Sequence, residues 1–144
     1  MLNPLGAPVQ LVGIFHPNYR DIHQGAALRL AQPHMAVLKG EGGEVERNPD
    51  LPCLVQSACD GAEQSEEWPA MFGGGRHLKD EAMEVERLAA VWQGEAVDEY
   101  GEASVVGTAA IALKALGVAA SVADAERDAR RLWAERAKTL VKSA

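Results

Sequence analysis

The chain has 144 residues, 47% of them hydrophobic, and a formal net charge of −7. This length and apolar content are enough for one domain with a buried core. The acidic balance argues against broad binding of duplex nucleic acid, which depends on Lys and Arg contacts to phosphates. No apolar run reaches the roughly 18 residues of a membrane-spanning helix, so we expect no membrane contact. The residues after Met1 lack the basic and apolar regions of a signal peptide, which predicts a cytoplasmic protein.

The start of the chain has the pattern of a strand, a helix and a second strand. Residues 9–15 are apolar and partly β-branched, which predicts a strand. Asn18 is a candidate N-cap for a helix over residues 19–31, which Pro33 terminates. Residues 35–38 then predict a buried strand. A strand, helix and strand in this order indicate a parallel pair with a right-handed crossover.

A β-hairpin is predicted next. Cys53–Cys59 is the third predicted strand, and the Asp60-Gly61 dipeptide is typical of a tight turn. Residues 63–72 would return as an antiparallel partner, which Pro69 confines to a sheet edge. The two cysteines of the third strand are expected to be reduced and structural, because a zinc or redox pair more often has the spacing Cys-x-x-Cys.

The rest of the chain has a helical pattern. Candidate N-caps and the glycines that follow predict helices over residues 80–93, 98–116 and 121–141, beginning at Asp80, Asp98 and Ser121. The second is rich in alanine and apolar on most faces, so we expect it to be the most buried helix. Asp124 lies three residues after Ser121, as an acidic residue does in a capping box.

These elements predict a single α/β domain over residues 1–144, with a sheet-containing part at 1–77 and a helical part at 78–144. Its first strand begins almost at Met1, and three strands with one crossover make a thin sheet. We therefore expect a fragment that lacks partners on its N-terminal side. The strand edge at residues 9–15 would then be exposed and prone to association.

Residues 39–47 form a glycine- and glutamate-rich segment directly after the buried second strand. Open α/β sheets usually bind ligands at this end of a strand, and glycines allow a close approach of the backbone. The carboxylate oxygens of Glu41, Glu44 and Glu46 suit a hard divalent cation. Lys39 and Arg47 would suit a phosphate. The alternative is a polar surface loop whose glycines only make turns. The pattern is neither a Walker nor a Rossmann motif.

Other chemistry-bearing residues give weaker signals. His16, His23, His34 and His77 have no metal-ligand spacing, and no Gly-x-Ser-x-Gly elbow occurs, so no catalytic residue is predicted. Trp68, Trp92 and Trp133 lie in apolar or amphipathic contexts and are expected in the core rather than stacked on bases. The basic residues Arg130, Arg131 and Arg136 are either a solvated helix end or a nucleic-acid strip.

Three segments together resemble glycosyltransferase family 3, the anthranilate phosphoribosyltransferase fold: residues 10–15, 39–44 and 98–103, which read QLVGIF, KGEGGE and DEYGEA. The closest likeness is to the YbiB-type branch, transferase-like proteins associated with nucleic acid. The resemblance implies the C-terminal part of the family's α/β domain, without the helical domain and phosphate loop that precede it. Met1 would then correspond to an internal methionine of a longer protein. The full-length parent is expected to be a homodimer that binds single-stranded nucleic acid.

The resemblance also implies roles within the segment at 39–47. The family's loop reads roughly His-Gly-x-x-Gly-x-Asp-Glu, and its Asp-Glu pair helps to hold Mg²⁺ on the pyrophosphate. Lys39-Gly40 falls on His-Gly and Gly43 on the later glycine, so these three are the candidate cofactor-binding residues. Val45 and Glu46 fall on Asp-Glu. Glu46 is a candidate metal ligand, which Glu44 would have to support because valine cannot ligate a metal.

Two functions follow from this resemblance. The first is a non-catalytic, phosphoribosyltransferase-like domain of a DNA-binding protein, for which no cofactor is expected. The alternative is a transferase that moves a phosphoribosyl group from phosphoribosyl pyrophosphate to an aromatic amine, with Mg²⁺ neutralising the leaving group. Whether the chain is an enzyme stays open, because Val45 breaks the metal pair and the upstream phosphate loop is absent.

Overall fold

The computed structural model describes residues 3–73 and 84–139. The elements in these two ranges confirm an α/β fold with a strand–helix–strand unit, a hairpin and three C-terminal helices. In chain order they are β1 (Val9–Gly13), α1 (Tyr19–Arg29), β2 (His34–Leu38), β3 (Cys53–Cys59), β4 (Ala62–Trp68), α2 (Val85–Gln93), α3 (Glu99–Ala115) and α4 (Val122–Ala134).

The described strands form one mixed sheet in the order β1-β2-β3-β4. β1 and β2 are parallel, as the crossover predicts, whereas β2 with β3 and β3 with β4 are antiparallel. The hairpin turn has positive φ angles at Asp60 and Gly61, 50° and 79°. β1 and β4 are the two edges of this sheet. The returning strand ends at Trp68 rather than continuing to residue 72, because Pro69 cannot donate to a strand ladder.

Helices cover both faces of the sheet. Alternate residues of a strand face opposite sides, and β2 shows this clearly. Met35 and Val37 belong to the cluster beneath α1, whereas Ala36 and Leu38 belong to the cluster beneath α3. All four side chains are fully buried. β2 is therefore an interior strand buried on both faces, and the segment that follows it starts from the core.

Capping side chains set two of the helix starts. Asp98 Oδ1 accepts a hydrogen bond from Gly101 N at 2.8 Å, and Ser121 Oγ accepts one from Asp124 N at 3.1 Å, which confirms both predicted caps. Asn18 occupies the N-cap position of α1, but its side chain makes no capping hydrogen bond. The predicted cap Asp80 lies outside the described residues.

The remaining helix predictions are confirmed in part: α2 ends at Gln93 as predicted, but it begins at Val85 after an extended Glu84. α3 is the most buried of the described helices, with seven buried residues. α4 is shorter than predicted and ends at Ala134, because Arg136 turns back to bond carbonyls of α2 and α4. Within the described ranges, each helix is too short or too polar to cross a membrane.

Candidate functional site

The glycine- and glutamate-rich loop, residues 39–47, packs against the carboxyl end of β1. Ile14 N donates to Leu38 O at 3.1 Å, which holds the chain after β1 beside the end of β2. A Cβ atom on Gly13 would lie 2.5 Å from Gly43 O and 2.7 Å from the carbonyl carbon of Glu44. Such an approach is too close for any side chain, so the fold of the loop requires glycine at position 13. The loop thus lies at the carboxyl edge of the parallel pair.

The carboxylate of Glu44 is hydrogen-bonded to the loop's own backbone. Glu44 Oε2 accepts a hydrogen bond from Gly42 N at 2.7 Å, and Glu44 O accepts one from Gly40 N at 3.3 Å. A Cβ atom on Gly40 would lie 2.9 Å from the carboxyl carbon of Glu44. Lys39 Nζ donates to Gly40 O at 3.2 Å. Three of the predicted ligand-binding positions are therefore engaged with one another.

The next two residues, Val45 and Glu46, are exposed. Val45 is 40% exposed, and both residues line a cleft against α3 together with Ser104 and Thr108. In the described part of the chain, Glu46 makes no ion pair. Its carboxylate faces the cleft, beside a valine at the position where the resemblance requires aspartate.

These positions do not supply the paired carboxylates of a family-type magnesium site. Mg²⁺ takes oxygen ligands in near-octahedral geometry, usually from one or two carboxylates together with substrate phosphates. Glu44 is bonded to the loop backbone and Val45 has no ligating atom, so Glu46 has no adjacent carboxylate to pair with. Over residues 3–73 and 84–139, no group of three or more His, Cys, Asp or Glu side chains is arranged to hold a metal ion.

Arg47 has a different role from the one its sequence position indicates. Its side chain is fully buried, so the expected phosphate contact is wrong. The guanidinium donates to Glu126 Oε1 at 2.7 Å and to Pro69 O at 2.6 Å, and it lies 5.0 Å from the ring centroid of Trp68. A Cβ atom on Gly107 would lie 2.9 Å from Arg47 Cδ, so that glycine makes room for the side chain. Arg47 joins the loop, β4, α3 and α4.

The three basic residues predicted as a nucleic-acid strip have different environments. Arg130 and Arg131 are exposed and lie 3.6 Å from Glu126 and Asp128 respectively. Arg136 donates to the carbonyl oxygens of three residues, Val91, Trp92 and Trp133, and stacks 3.6 Å from the ring centroid of Trp133. Arg130 and Arg131 are accessible to a phosphate, whereas the guanidinium of Arg136 is engaged in joining α4 to α2.

The aromatic and thiol predictions are confirmed in part. Trp68 is buried in the core, and Trp92 and Trp133 pack edge to face with their ring centroids 5.9 Å apart. Both cysteines are free, and burial raises the pKa of the Cys53 thiol. His16 is exposed and packs edge-on against its neighbour Phe15. His77 lies outside the described residues.

Sequence reasoning missed a second cleft, formed by the Glu46 side of the loop and helices α2, α3 and α4. It has a volume of about 440 Å³, with Leu88, Trp92 and Val105 among its apolar lining residues and Ser104 among its polar ones. The signal that was available is the apolar surface of α2, where Leu88 is 71% exposed. A short amphipathic helix that leaves this much apolar surface uncovered is typical of a binding surface.

Comparison with known proteins finds relatives that are described as anthranilate phosphoribosyltransferases. The chain is 36% identical to the anthranilate phosphoribosyltransferase of Burkholderia multivorans and 34% identical to that of Burkholderia ambifaria, each over 137 residues. It is 33% identical to that of a Janthinobacterium species over 136 residues. Each alignment covers 90% of this chain. These similarities support a glycosyltransferase family 3-like chain.

The same alignments cover only part of each relative. The chain spans 39% of the length of these phosphoribosyltransferases. No family model matches the chain. The similarity therefore supports a phosphoribosyltransferase-like family for this sequence. It extends over only part of the length of each relative.

Proposed function

We propose that this chain is a non-catalytic, phosphoribosyltransferase-like domain of a nucleic-acid-associated protein of the YbiB type. One observation carries the non-catalytic part of the proposal. The position that matches the family's aspartate is Val45, and the adjacent carboxylate of Glu44 turns inward to bond Gly42 N at 2.7 Å. With valine at that position, Glu46 has no adjacent carboxylate, so the loop lacks the paired ligands that would help to hold Mg²⁺ on a pyrophosphate.

Restoring the missing carboxylate tests this part of the proposal. Val45 is partly exposed, so Val45→Asp adds an oxygen donor beside Glu46 without burying a charge. We expect no Mg²⁺-dependent change in melting temperature for the unmodified chain with phosphoribosyl pyrophosphate, and a stabilisation in the variant. Val118→Asp, at a position that is 64% exposed and away from the loop, is the charge-matched control. A Mg²⁺-dependent shift in the unmodified chain that Glu46→Ala abolishes would contradict the proposal.

The nucleic-acid part of the proposal depends on Arg130 and Arg131. Both guanidinium groups are exposed and held only by ion pairs longer than 3.5 Å. Such exposed pairs contribute little free energy and exchange readily for a phosphate. In this proposal the two arginines add to a basic surface of the longer protein, since the acidic chain alone has a weak electrostatic attraction for nucleic acid.

Salt dependence distinguishes phosphate contacts from other binding. The double variant Arg130→Gln, Arg131→Gln should weaken binding of a single-stranded oligonucleotide and reduce the slope of log K against log salt by about 0.7 for each lost phosphate contact. Arg127→Gln is a matched control, because Arg127 lies on the same helix and pairs with Asp124 at 2.6 Å. If the chain binds no oligonucleotide at low salt, the nucleic-acid part of the proposal is contradicted.

The second candidate is a transferase that uses phosphoribosyl pyrophosphate and an aromatic amine with Mg²⁺. It is favoured by the description of the relatives as anthranilate phosphoribosyltransferases. In this case Glu46 would be the metal ligand, with Lys39, Gly40 and Gly43 at the phosphates. Formation of a phosphoribosylated amine by the longer protein, lost in Glu46→Gln, would support this candidate over the first.

The proposal extends to the setting of the longer protein, which we infer to be a cytoplasmic homodimer. Light scattering of the longer protein would test its oligomeric state, and fractionation of cells would test its location. A monomer in solution would contradict the inferred homodimer, and a membrane-associated protein would contradict the inferred location. Neither result would bear on the magnesium or nucleic-acid parts of the proposal.

A further inference from the structure

The helical cleft is the cleft of about 440 Å³ between α2, α3, α4 and the Glu46 side of the loop. Its volume lies within the range typical of small-molecule sites. Its apolar walls come from three helices: Leu88 and Trp92 on α2, Val105 on α3, and Trp133 on α4. The edge-to-face packing of the two tryptophan rings, at 5.9 Å, gives the cleft a rigid apolar surface.

A buried polar group in the cleft lacks a partner. Ser104 is 5% exposed, lines the helical cleft, and its Oγ has no hydrogen-bond partner in the described structure. A hydroxyl buried without a partner costs free energy that a bound donor or acceptor would recover. The hydroxyl of Ser104 therefore marks a point where a ligand's polar group would bond.

The charged groups that line the cleft are acidic. Glu46 and Asp98 are the two charged residues among its described lining residues. Asp98 is offset by Arg87, 3.4 Å away, and its other oxygen caps α3 through Gly101 N. Glu46 makes no ion pair within the described part of the chain. The uncompensated lining charge is thus the Glu46 carboxylate, which favours a cationic group over an anionic one.

Arg136 is a second cation that contacts the walls of the cleft. Its guanidinium stacks on the Trp133 ring and donates to three backbone carbonyl oxygens. It does not appear among the lining residues of the cleft. Its donors are directed at the α2–α4 contact, so it does not neutralise Glu46.

We propose that the helical cleft binds a small apolar molecule with a primary ammonium group. The apolar part would lie on Trp92, Trp133, Leu88 and Val105, and the ammonium would donate to Glu46 and Ser104. This inference goes beyond the proposed function, since it concerns neither phosphoribosyl pyrophosphate nor nucleic acid. The proposed ligand is a cation, whereas a phosphorylated substrate is an anion.

A series of alkylammonium ions tests the proposal in the full chain. Propyl-, butyl-, pentyl- and hexylammonium chloride are titrated while ¹H–¹⁵N NMR follows the indole of Trp92 and the amides of α3. Binding should tighten by roughly threefold to fourfold for each added CH₂ group. Hexan-1-ol and hexanoate are the matched neutral and anionic probes. We expect hexylammonium to bind most tightly and hexanoate least.

Variants separate the charge from the apolar wall. Glu46→Gln should weaken hexylammonium by about twofold to fivefold, as for an exposed ion pair, and leave hexan-1-ol unchanged. Glu63→Gln, an exposed glutamate on β4 outside the cleft, is the matched control and should change neither. Ser104→Ala should weaken hexylammonium roughly threefold by removing the acceptor.

Two results would overturn the proposal. The first is equal or tighter binding of hexanoate, or a preference for ammonium that survives Glu46→Gln. The second is no NMR change at the cleft with any probe, together with concentration-dependent self-association that Leu88→Glu abolishes. The second result would show that another copy of the chain covers the apolar face instead.

Discussion

The loop after β2 has a different environment on each side of the peptide bond between Glu46 and Arg47. Residues 39–46 lie largely at the surface, where glycines and Glu44 bond one another, whereas Arg47 is fully buried and joined to Glu126 at 2.7 Å. In the sequence both parts look like ligand-binding charges. The difference shows that charged side chains of one loop can have opposite roles. Those before Arg47 lie at the surface, whereas Arg47 supports the core.

The largest expected effect comes from removing the buried charge. Arg47→Ala leaves Glu126 Oε1 and Pro69 O without their donor and opens a cavity against Trp68. Breaking a buried ion pair typically costs about 3–5 kcal/mol, so we expect a loss of that order in the free energy of unfolding. Urea denaturation, or the failure of the variant to give a cooperative transition, measures it.

Arg130→Ala is the matched control for that experiment. Arg130 also pairs with Glu126, but at 3.6 Å and with its side chain 54% exposed. We expect a change in the free energy of unfolding within about 0.5 kcal/mol. Similar losses in the two variants would show that burial does not distinguish Arg47 from the surface arginines.

A smaller effect is expected from filling the contact between β1 and the loop. Gly13→Ala places a methyl group 2.5 Å from Gly43 O, and backbone atoms cannot move away as a flexible side chain can. We expect a loss of about 1–3 kcal/mol in the free energy of unfolding. Thermal and urea unfolding measure the change.

Gly25→Ala on α1 is the control for glycine replacement. A Cβ atom at Gly25 would meet nothing within 4 Å, and alanine favours the helix interior. This variant should gain about 0.5–1 kcal/mol in the free energy of unfolding. A loss in both variants would contradict the close approach of loop and strand at Gly13.

Glu44 and Glu46 of the loop give the next comparison. Glu44→Ala removes the acceptor for Gly42 N, so we expect a loss of about 1 kcal/mol or less and faster hydrogen exchange at that amide. Glu46→Ala removes an outward carboxylate and should leave both quantities unchanged. Equal exchange rates at Gly42 in the two variants would argue against the inward position of Glu44.

The smallest effect concerns an exposed pair on α4, the counterpart of the buried pair at Arg47. Hydrogen bonds from Ser121 and then from Arg127 lower the pKa of the Asp124 carboxyl below its ordinary value. A lowered pKa stabilises the folded chain above the ordinary pKa of aspartate, about 3.9, and this contribution is lost as the pH falls through the folded value.

Replacing the cap tests that pH dependence. In Ser121→Ala the pKa of Asp124 should rise towards its ordinary value, because the largest cause of the shift is removed. Carboxyl ¹³C NMR titration measures the pKa in both proteins. Asp128→Asn is a control that leaves the capping pair intact. An unchanged pKa of Asp124 in Ser121→Ala would contradict this assignment.

Much of the fold was predictable from local pattern. β3 has the predicted bounds, and the starts of α3 and α4 follow from their capping residues, since alternation, glycines and caps act over a few residues. The ends of elements were less predictable. β1 stops at Gly13 because the chain there packs against the loop, and α4 stops at Ala134 where Arg136 bonds three carbonyls.

The position of the candidate site was predictable from the sequence, but the hydrogen bonding of its side chains was not. A glycine-rich segment after a buried strand indicates a loop at the sheet edge, and the loop lies there. Pattern alone could not show that Glu44 turns inward, because its carboxylate meets an amide two residues away only in the folded loop. The helical cleft was missed because its walls come from three helices that are separated in the sequence.

The sequence by itself determined the order of elements, the burial of β2 and the valine at position 45, where the resemblance implies aspartate. These depend on residue type and short-range spacing. Only the tertiary structure decided which charges are buried and which face solvent. Arg47 and Lys39 are both cations of one loop, yet Glu126, 79 residues later in the chain, makes the burial of Arg47 tolerable. A counter-charge that arrives from a distant helix leaves no local signal, so the environment of each charge depends on the assembled core.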